Sequence, residues 1–372
     1  MLINKRILIV GPPLNEPGGV SGYYQSILPP LSDIYNSGSQ ISYLGLGARA
    51  GWVFKFKLLS FLFDLCSFSI RCLIKRPHII HINPSLLPKS LVRDSFIIII
   101  SRVISFAKIV VFFRGWNTQN ESFVKKWFWF FKRTLLNADQ YILLTNHSKI
   151  KILSWGVSKN RINKSFTVIN PNFEDFLKKL DKYSFIKSKS KIDKIKILFL
   201  GRLIQEKGIY EMLEGFLAAH NINNNMELVI AGNGPELDNI KALIIKYRLS
   251  EYVKLLGHVS GEKKYEELVS SHIFLLPSYT EGMPNSVLEA MAAGCVVYGT
   301  PVGALKEFID DDLIKPLKIK DSESITKALL DNNFFRDNLD YVMFNSSYAR
   351  KTFGHEAICS SLSDIYAKAL KF

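Results

Sequence analysis

Strand-like apolar runs alternate with longer helix-like segments along the whole chain, which is the pattern of parallel α/β layers. In the first half the runs RILIV, ISYLGL, HIIHI, KIVVFF and QYILLT are each followed by a helix-length stretch, and FTVIN closes the half. The second half begins afresh with KIKILFLG and continues through MELVIAG, YVKLLG, HIFLLP, CVVYGT and DLIKP. After about Asp321 the strands stop, and a helical tail follows that can pack on its own domain or return to the first. Between the halves, Phe176–Lys194 is lysine-rich and weakly periodic, so it reads as a linker. The pattern therefore predicts two doubly wound domains, 1–175 and 195–372, joined by 176–194. Facing each other, they would set the carboxyl ends of both sheets, where such sheets bind ligands, around a central cleft.

The length supports this division, since 372 residues exceed the roughly 250–300 at which single cores stop growing. Cys66, Cys72, Cys295 and Cys359 show no metal-ligand or disulfide spacing, and the amino terminus leads straight into the first strand run. A cytoplasmic setting is expected. The most apolar window, Ser95–Phe113, is interrupted by Arg102 and Lys108 and reads as a buried helix followed by a buried strand. Charge is unevenly placed: residues 1–175 hold 22 Lys and Arg against 8 Asp and Glu, and the rest hold 26 against 25. In the basic half, GWVFKFKLLSFLF and KKWFWFFKR interleave cations with Trp, Phe and Leu, the composition of a face resting on an anionic membrane.

Candidate chemistry follows strands. Gly18 and Gly19 precede a helix after the first run, where a backbone without Cβ atoms can approach an anion, although G-x-G-x-x-G spacing is absent. After the first run of the second half, Arg202 and Lys207 stand in a loop ahead of a helix near Gly208, a pair of cations suited to a diphosphate. AGNGPELDNI repeats the strand–Gly–helix arrangement and reads mainly as structure. In SYTEGMPNSVLEAMAAG, Glu281 lies in a loop and Glu289 about one turn inside a helix that starts near Asn285 or Ser286 and is stopped by Gly294. Asn285, Ser286, Glu289 and Ala293 share one face of it.

GRLIQEKG, GNGP and PSYTEGMPNSVLEAMAAG together resemble the carboxyl-terminal domain of retaining glycosyltransferases of family 4, which have the two-domain GT-B architecture. The resemblance runs from about Lys196 to Glu307 and is weaker in the first half, where the GGV loop and VINPNF are similar to family features. It implies a nucleotide-sugar donor whose diphosphate is bound by Arg202 and Lys207. Glu289 would hold the ribose hydroxyls, and Glu281 would lie by the transferred sugar with the backbone of Gly282, Met283, Pro284, Asn285 and Ser286. The Gly18–Gly19 loop would close on the phosphates. Where the family often has His-Gly, this chain has Arg114 before Gly115; Arg114 and His81 are the acceptor-side candidates.

The resemblance further implies metal-independent transfer of a sugar with retention, with no cofactor. Arg202, Lys207 and a helix N-terminus would answer the charge that builds on the leaving phosphates. The D-x-D within Asp310–Asp312 lies beyond the motifs and is not expected to bind a metal. The basic first half suggests a lipid-linked saccharide acceptor at the inner face of the cytoplasmic membrane, in assembly of O-antigen, capsule or another surface polysaccharide. Two other classes compete: a sugar-nucleotide epimerase or hydrolase of the same fold, and a basic nucleic-acid-binding protein, against which stands the lack of any nucleic-acid motif.

Overall fold

The computed structural model describes residues 4–16, 18–35, 40–47, 57–189, 191, 194–331 and 337–371. Of the basic, aromatic stretch that begins at Gly51, residues 51–56 lie outside them. The chain divides into two compact units: residues to Val168 together with His355 onward, and Ile169–Gly354.

In the first unit the elements run β1 (Arg6–Gly11), α1 (Gly19–Tyr35), β2 (Gln40–Gly45), α2 (Lys57–Lys75), β3 (Ile79–Ile82) and α3 (Pro88–Ile104). They continue with β4 (Lys108–Phe113), α4 (Glu121–Lys126), α5 (Phe128–Arg133), β5 (Gln140–Leu143), α6 (Asn146–Ser154) and β6 (Ile162–Lys164). The strands form a parallel sheet in the order β2-β1-β3-β4-β5-β6. Ile7–Val10 and Ile109–Phe113 are buried, as expected of parallel strands covered on both faces. The chain reverses direction across the sheet after β2, so right-handed crossovers place α1 on one face and α2 to α6 on the other.

The second unit runs α7 (Pro171–Lys178), α8 (Lys182–Lys189), β7 (Ile195–Leu200), α9 (Ile209–Ile222), β8 (Met226–Ala231), α10 (Leu237–Lys246), β9 (Val253–Gly257) and α11 (Gly261–Ser270). Then come β10 (Ile273–Leu276), α12 (Asn285–Ala292), β11 (Val296–Gly299), α13 (Leu305–Asp310), β12 (Lys315–Pro316), α14 (Ser322–Leu330) and α15 (Leu339–Phe353). Its parallel sheet has the order β12-β11-β10-β7-β8-β9. The last helix, α16 (His355–Lys371), belongs to the first unit and packs on α1. Tyr366 on α16 is fully buried, with its hydroxyl 2.7 Å from His81 Nδ1.

Two expectations need correction. Phe166–Asn170 does not pair as a strand; the sixth strand is Ile162–Lys164. Val168 and Ile169 are nevertheless buried, and Ile169 N–H donates to the Phe353 carbonyl at 2.9 Å. The stretch expected as a linker holds the end of α7 and all of α8, both within the second unit. Its lysines suggested solvent, yet the Lys189 ammonium is buried and donates to the carbonyls of Ser271 at 2.7 Å, Ala293 at 2.9 Å and Gly294 at 3.4 Å. Burial pulls the Lys189 pKa down to about 8. These carbonyls lie at the carboxyl ends of α11 and α12, where intrahelical donors run out, and that of Ser271 also accepts from the Cys295 thiol at 3.3 Å. Lys189→Met should lower stability by about 2 kcal/mol, because relief from burying the charge only partly offsets the loss of its hydrogen bonds to the helix-end carbonyls. Urea unfolding followed by far-UV circular dichroism would measure it, and an unchanged midpoint would rule out this bracing role.

Candidate active site

The loops at the carboxyl ends of β7, β8 and β10 are held together by backbone contacts that leave no room for side chains. A Cβ at Gly232 would sit 1.8 Å from the Gly201 carbonyl oxygen, and one at Gly234 would sit 2.2 Å from that of Leu203. Leu203 N–H donates to the Asn233 carbonyl at 3.0 Å, so the GNGP turn fixes the loop that carries Arg202. Arg202 is exposed, and its carbonyl accepts from the Ile204 N–H at 3.0 Å, while its side chain has no hydrogen-bond or ion-pair partner among the described residues. Gly208 has φ +67°, and a Cβ there would lie 2.1 Å from the Pro277 carbonyl oxygen. Glycine is therefore required where Lys207 turns into α9, and this contact sets the β7 loop against the β10 loop.

Lys207 and Glu281 come together as an ion pair through Nζ and Oε1. Glu281 is 9% exposed, and the buried Ser278 donates its hydroxyl to Oε1 at 2.8 Å. The Tyr279 N–H donates to the Glu206 carbonyl at 2.8 Å, while its hydroxyl donates to Glu211 at 2.6 Å. From the other side, Gly303 abuts the Glu281 carbonyl at φ +54°, and Ala304 N–H donates to the Gly282 carbonyl at 2.8 Å. Gly282 is exposed, Met283 buried, and Pro284, Asn285 and Ser286 half-buried where α12 begins, with no side chain capping its first N–H groups. Helix bounds match the sequence expectation, and Gly294 ends the helix at φ +68°.

Glu289 is only 3% exposed. Lys264 of α11 places its ammonium 2.8 Å from Oε1 and 2.6 Å from Oε2, but Oε2 lacks a contact with hydrogen-bond geometry. Burial raises the Glu289 pKa, and Lys264 opposes that rise. Neither Lys264 nor Ser278 was expected from the sequence. Lys264 sits in a charged stretch, GEKKYEELVS, with nothing to set it apart from Lys263, whereas Ser278 precedes Glu281 by three residues and was within reach of a closer reading.

In the first unit, Gly18 and Gly19 are exposed at the start of α1, and a Cβ at Gly19 would meet nothing within 4 Å. The protein's own packing does not require glycine there. Arg114 follows β4 with its guanidinium 4.0 Å from the Tyr23 ring centre and 4.4 Å from that of Phe112. Its Nη1 is buried without a hydrogen bond, and desolvation lowers its pKa. His81 corrects an expectation. It is wholly buried, and because the Tyr24 hydroxyl donates to Asn83 at 2.7 Å, His81 Nε2 donates to Tyr24 at 3.3 Å and Nδ1 accepts from Tyr366. Burial lowers its pKa to about 3, so it stays neutral and anchors α16, closed to an acceptor. Asp312 of the D-x-D pairs with Lys315 at 2.8 Å.

The sequence pattern of glycosyl transferases group 1 matches residues 182–341, which contain Arg202, Lys207, Glu281 and Glu289. These residues are similar to group 1 glycosyltransferases. The chain is 28% identical over 202 residues to the phosphatidylinositol N-acetylglucosaminyltransferase GPI3 subunit of Saccharomyces cerevisiae (strain YJM789), covering 54% of this chain and 43% of that one. It is 29% identical over 140 residues to the putative teichuronic acid biosynthesis glycosyltransferase TuaC of Bacillus subtilis (strain 168), covering 37% and 33%. The match thus spans less than half the length of these curated relatives. Among solved structures, Anabaena HepE in complex with UDP aligns with TM-score 0.67 at 14% identity, over 97% of this chain and 99% of that one. The two units, each built on a parallel six-stranded sheet, thus have the two-domain α/β GT-B fold.

Proposed function

We propose that the protein transfers a sugar, with retention, from a nucleotide-sugar donor to a lipid-linked saccharide acceptor at the inner face of the cytoplasmic membrane, in surface polysaccharide assembly. The observation that carries this reading is the convergence of Arg202, Lys207 and Glu281 on one braced loop pair beside the N-terminus of α12. Departure of a nucleoside diphosphate builds negative charge on phosphate and positive charge on the anomeric carbon. Arg202, Lys207 and the first N–H groups of α12 meet the former, and the Glu281 carboxylate meets the latter. Two fixed cations do the charge work without a metal, and the leaving phosphate serves as base on the same face as the acceptor hydroxyl. Glu289 Oε2, buried with acceptor capacity to spare, takes the ribose hydroxyls. At the start of α1, a Cβ at Gly19 would meet nothing within 4 Å, which leaves room there for a phosphate to approach the backbone. Arg114 stands on the acceptor side.

The Anabaena protein with the same fold is complexed with UDP, and the yeast and Bacillus relatives are named as a phosphatidylinositol N-acetylglucosaminyltransferase subunit and as a putative teichuronic acid biosynthesis glycosyltransferase. These names support a uridine donor and an acceptor of lipid or polymer type. A thermal-shift panel of UDP-, GDP- and ADP-sugars tests the donor: at roughly a hundredfold excess over Kd, the right one adds about 2.7 kcal/mol of stability. Transfer to membrane extracts in EDTA then tests acceptor and metal independence. If no nucleotide sugar shifts Tm, the reading is wrong. Turnover without any acceptor would favour the epimerase or hydrolase alternative.

A further inference from the structure

The outward side of α2 is apolar where an ordinary surface helix is polar. Leu59, Leu62, Phe63, Ile70, Leu73 and Ile74 follow helical spacing and are all exposed, Ile74 by 71%. The opposite side is apolar too, with Phe68 and Cys72 buried in the unit's core. Next to α2, α3 exposes Phe96, Ile99 and Val103, and Phe106 just beyond it is 83% exposed. The patch is continuous: Phe61 packs on Phe96 with ring centres 5.8 Å apart, and Phe96 lies 6.3 Å from Phe130 of α5. At its far edge Trp127 and Trp129 are exposed, and the Arg133 guanidinium lies 3.8 Å from the Trp129 ring centre. No helix among the described residues is long and apolar enough to cross a membrane.

Charge decides what covers this face. The four helices α2 to α5 carry ten Lys and Arg and three acidic residues. All three acids, Asp64, Asp94 and Glu121, are buried and engaged: by Gly47 N–H at 3.0 Å, by Arg93 at 2.8 Å and by Lys151 at 2.7 Å. Lys125, Lys126, Lys132 and Arg133 are exposed beside the tryptophans. A second copy would bring like charge against like, whereas an anionic bilayer offers hydrocarbon for the stripe and negative headgroups for the cations.

We infer that the α2–α3–α5 face docks in the surface of an anionic phospholipid bilayer, with α2 lying in the plane of the interface. This deepens the proposed function by naming how the enzyme reaches a lipid-linked acceptor, and it rests on that reading for the acceptor alone. Trp127 and Trp129 sit at headgroup level, and the lysines and arginines contact the phosphates.

The test is sedimentation of the full chain with vesicles of phosphatidylcholine alone or mixed with phosphatidylglycerol. Binding is expected to the mixed vesicles, to weaken with salt, and to fall by about tenfold or more in Ile70→Glu/Leu73→Glu. Both side chains are exposed, so the variant should fold; a Trp127→Ala/Trp129→Ala variant provides an independent loss. Equal sedimentation of wild type and both variants would overturn the inference, as would a dimer in solution that the glutamates dissolve. Nucleotide-sugar thermal shifts on the same variants separate the two readings: intact donor binding with lost vesicle binding supports the docking face, and vesicle binding without any donor shift sinks the proposed function alone.

Discussion

Lys207→Ala will lower kcat/KM for the donor by about 10²- to 10³-fold, the loss expected when one fixed charge that stabilises a developing anion is removed. The geometry makes the effect specific to that charge. Lys207 reaches Glu281 from the β7 loop, and Gly208 against Pro277 fixes where that loop lies. Alanine removes the cation but not this backbone contact, and Glu281 keeps the Ser278 hydroxyl, so the folded state should persist. Lys207→Arg should recover only part of the rate, because a planar fork cannot occupy the position of a point charge against both Glu281 and a phosphate. Steady-state kinetics with varied donor would check this, alongside circular dichroism to confirm folding. A folded Lys207→Ala enzyme working within a few-fold of wild type would remove Lys207 from the site.

The sheets were legible because parallel strands buried on both faces read as unbroken apolar runs, and RILIV, KIVVFF and HIFLLP each fall on a strand. The Arg202–Lys207 loop and the α12 motif were legible because each follows such a run and ends at a glycine. What stayed hidden depends on residues distant in sequence. Lys189 lies in a lysine-rich stretch that looks solvated, and only the tertiary fold brings it to the ends of α11 and α12. His81 offered the sequence a plausible acceptor group until Tyr366, 285 residues later, closed over its Nδ1. The apolar stripe of α2 could not be told from core, since periodicity reports which residues share a face and not whether anything covers it. Glu289 was placed about one turn inside α12, where it lies, but its burial and its cation from α11 were not foreseen.

That burial yields the second large effect. Glu289→Gln should weaken donor binding by about 10- to 100-fold, the worth of one or two hydrogen bonds to a charged acceptor, while leaving the unliganded protein as stable or more so. Gln has nearly the same shape, and Lys264 is 20% exposed and so can turn to water when its carboxylate partner is gone. The pH dependence carries the sign. Burial raises the folded-state pKa of Glu289 above its ordinary value of 4.5, so between that value and the folded pKa the native state holds the proton more tightly than the unfolded chain. Wild-type stability therefore has a component that falls as pH rises through this window and is flat above it, and the Gln variant lacks it. Donor affinity runs the other way, since the ribose hydroxyls need the ionised carboxylate, and it should decline as pH drops through the folded pKa of Glu289. Calorimetric donor titrations and thermal melts of both proteins from acid to neutral pH measure the two trends together. A Gln variant that binds donor as well as wild type, or that loses stability at neutral pH, would make Glu289 a structural partner of Lys264 and nothing more.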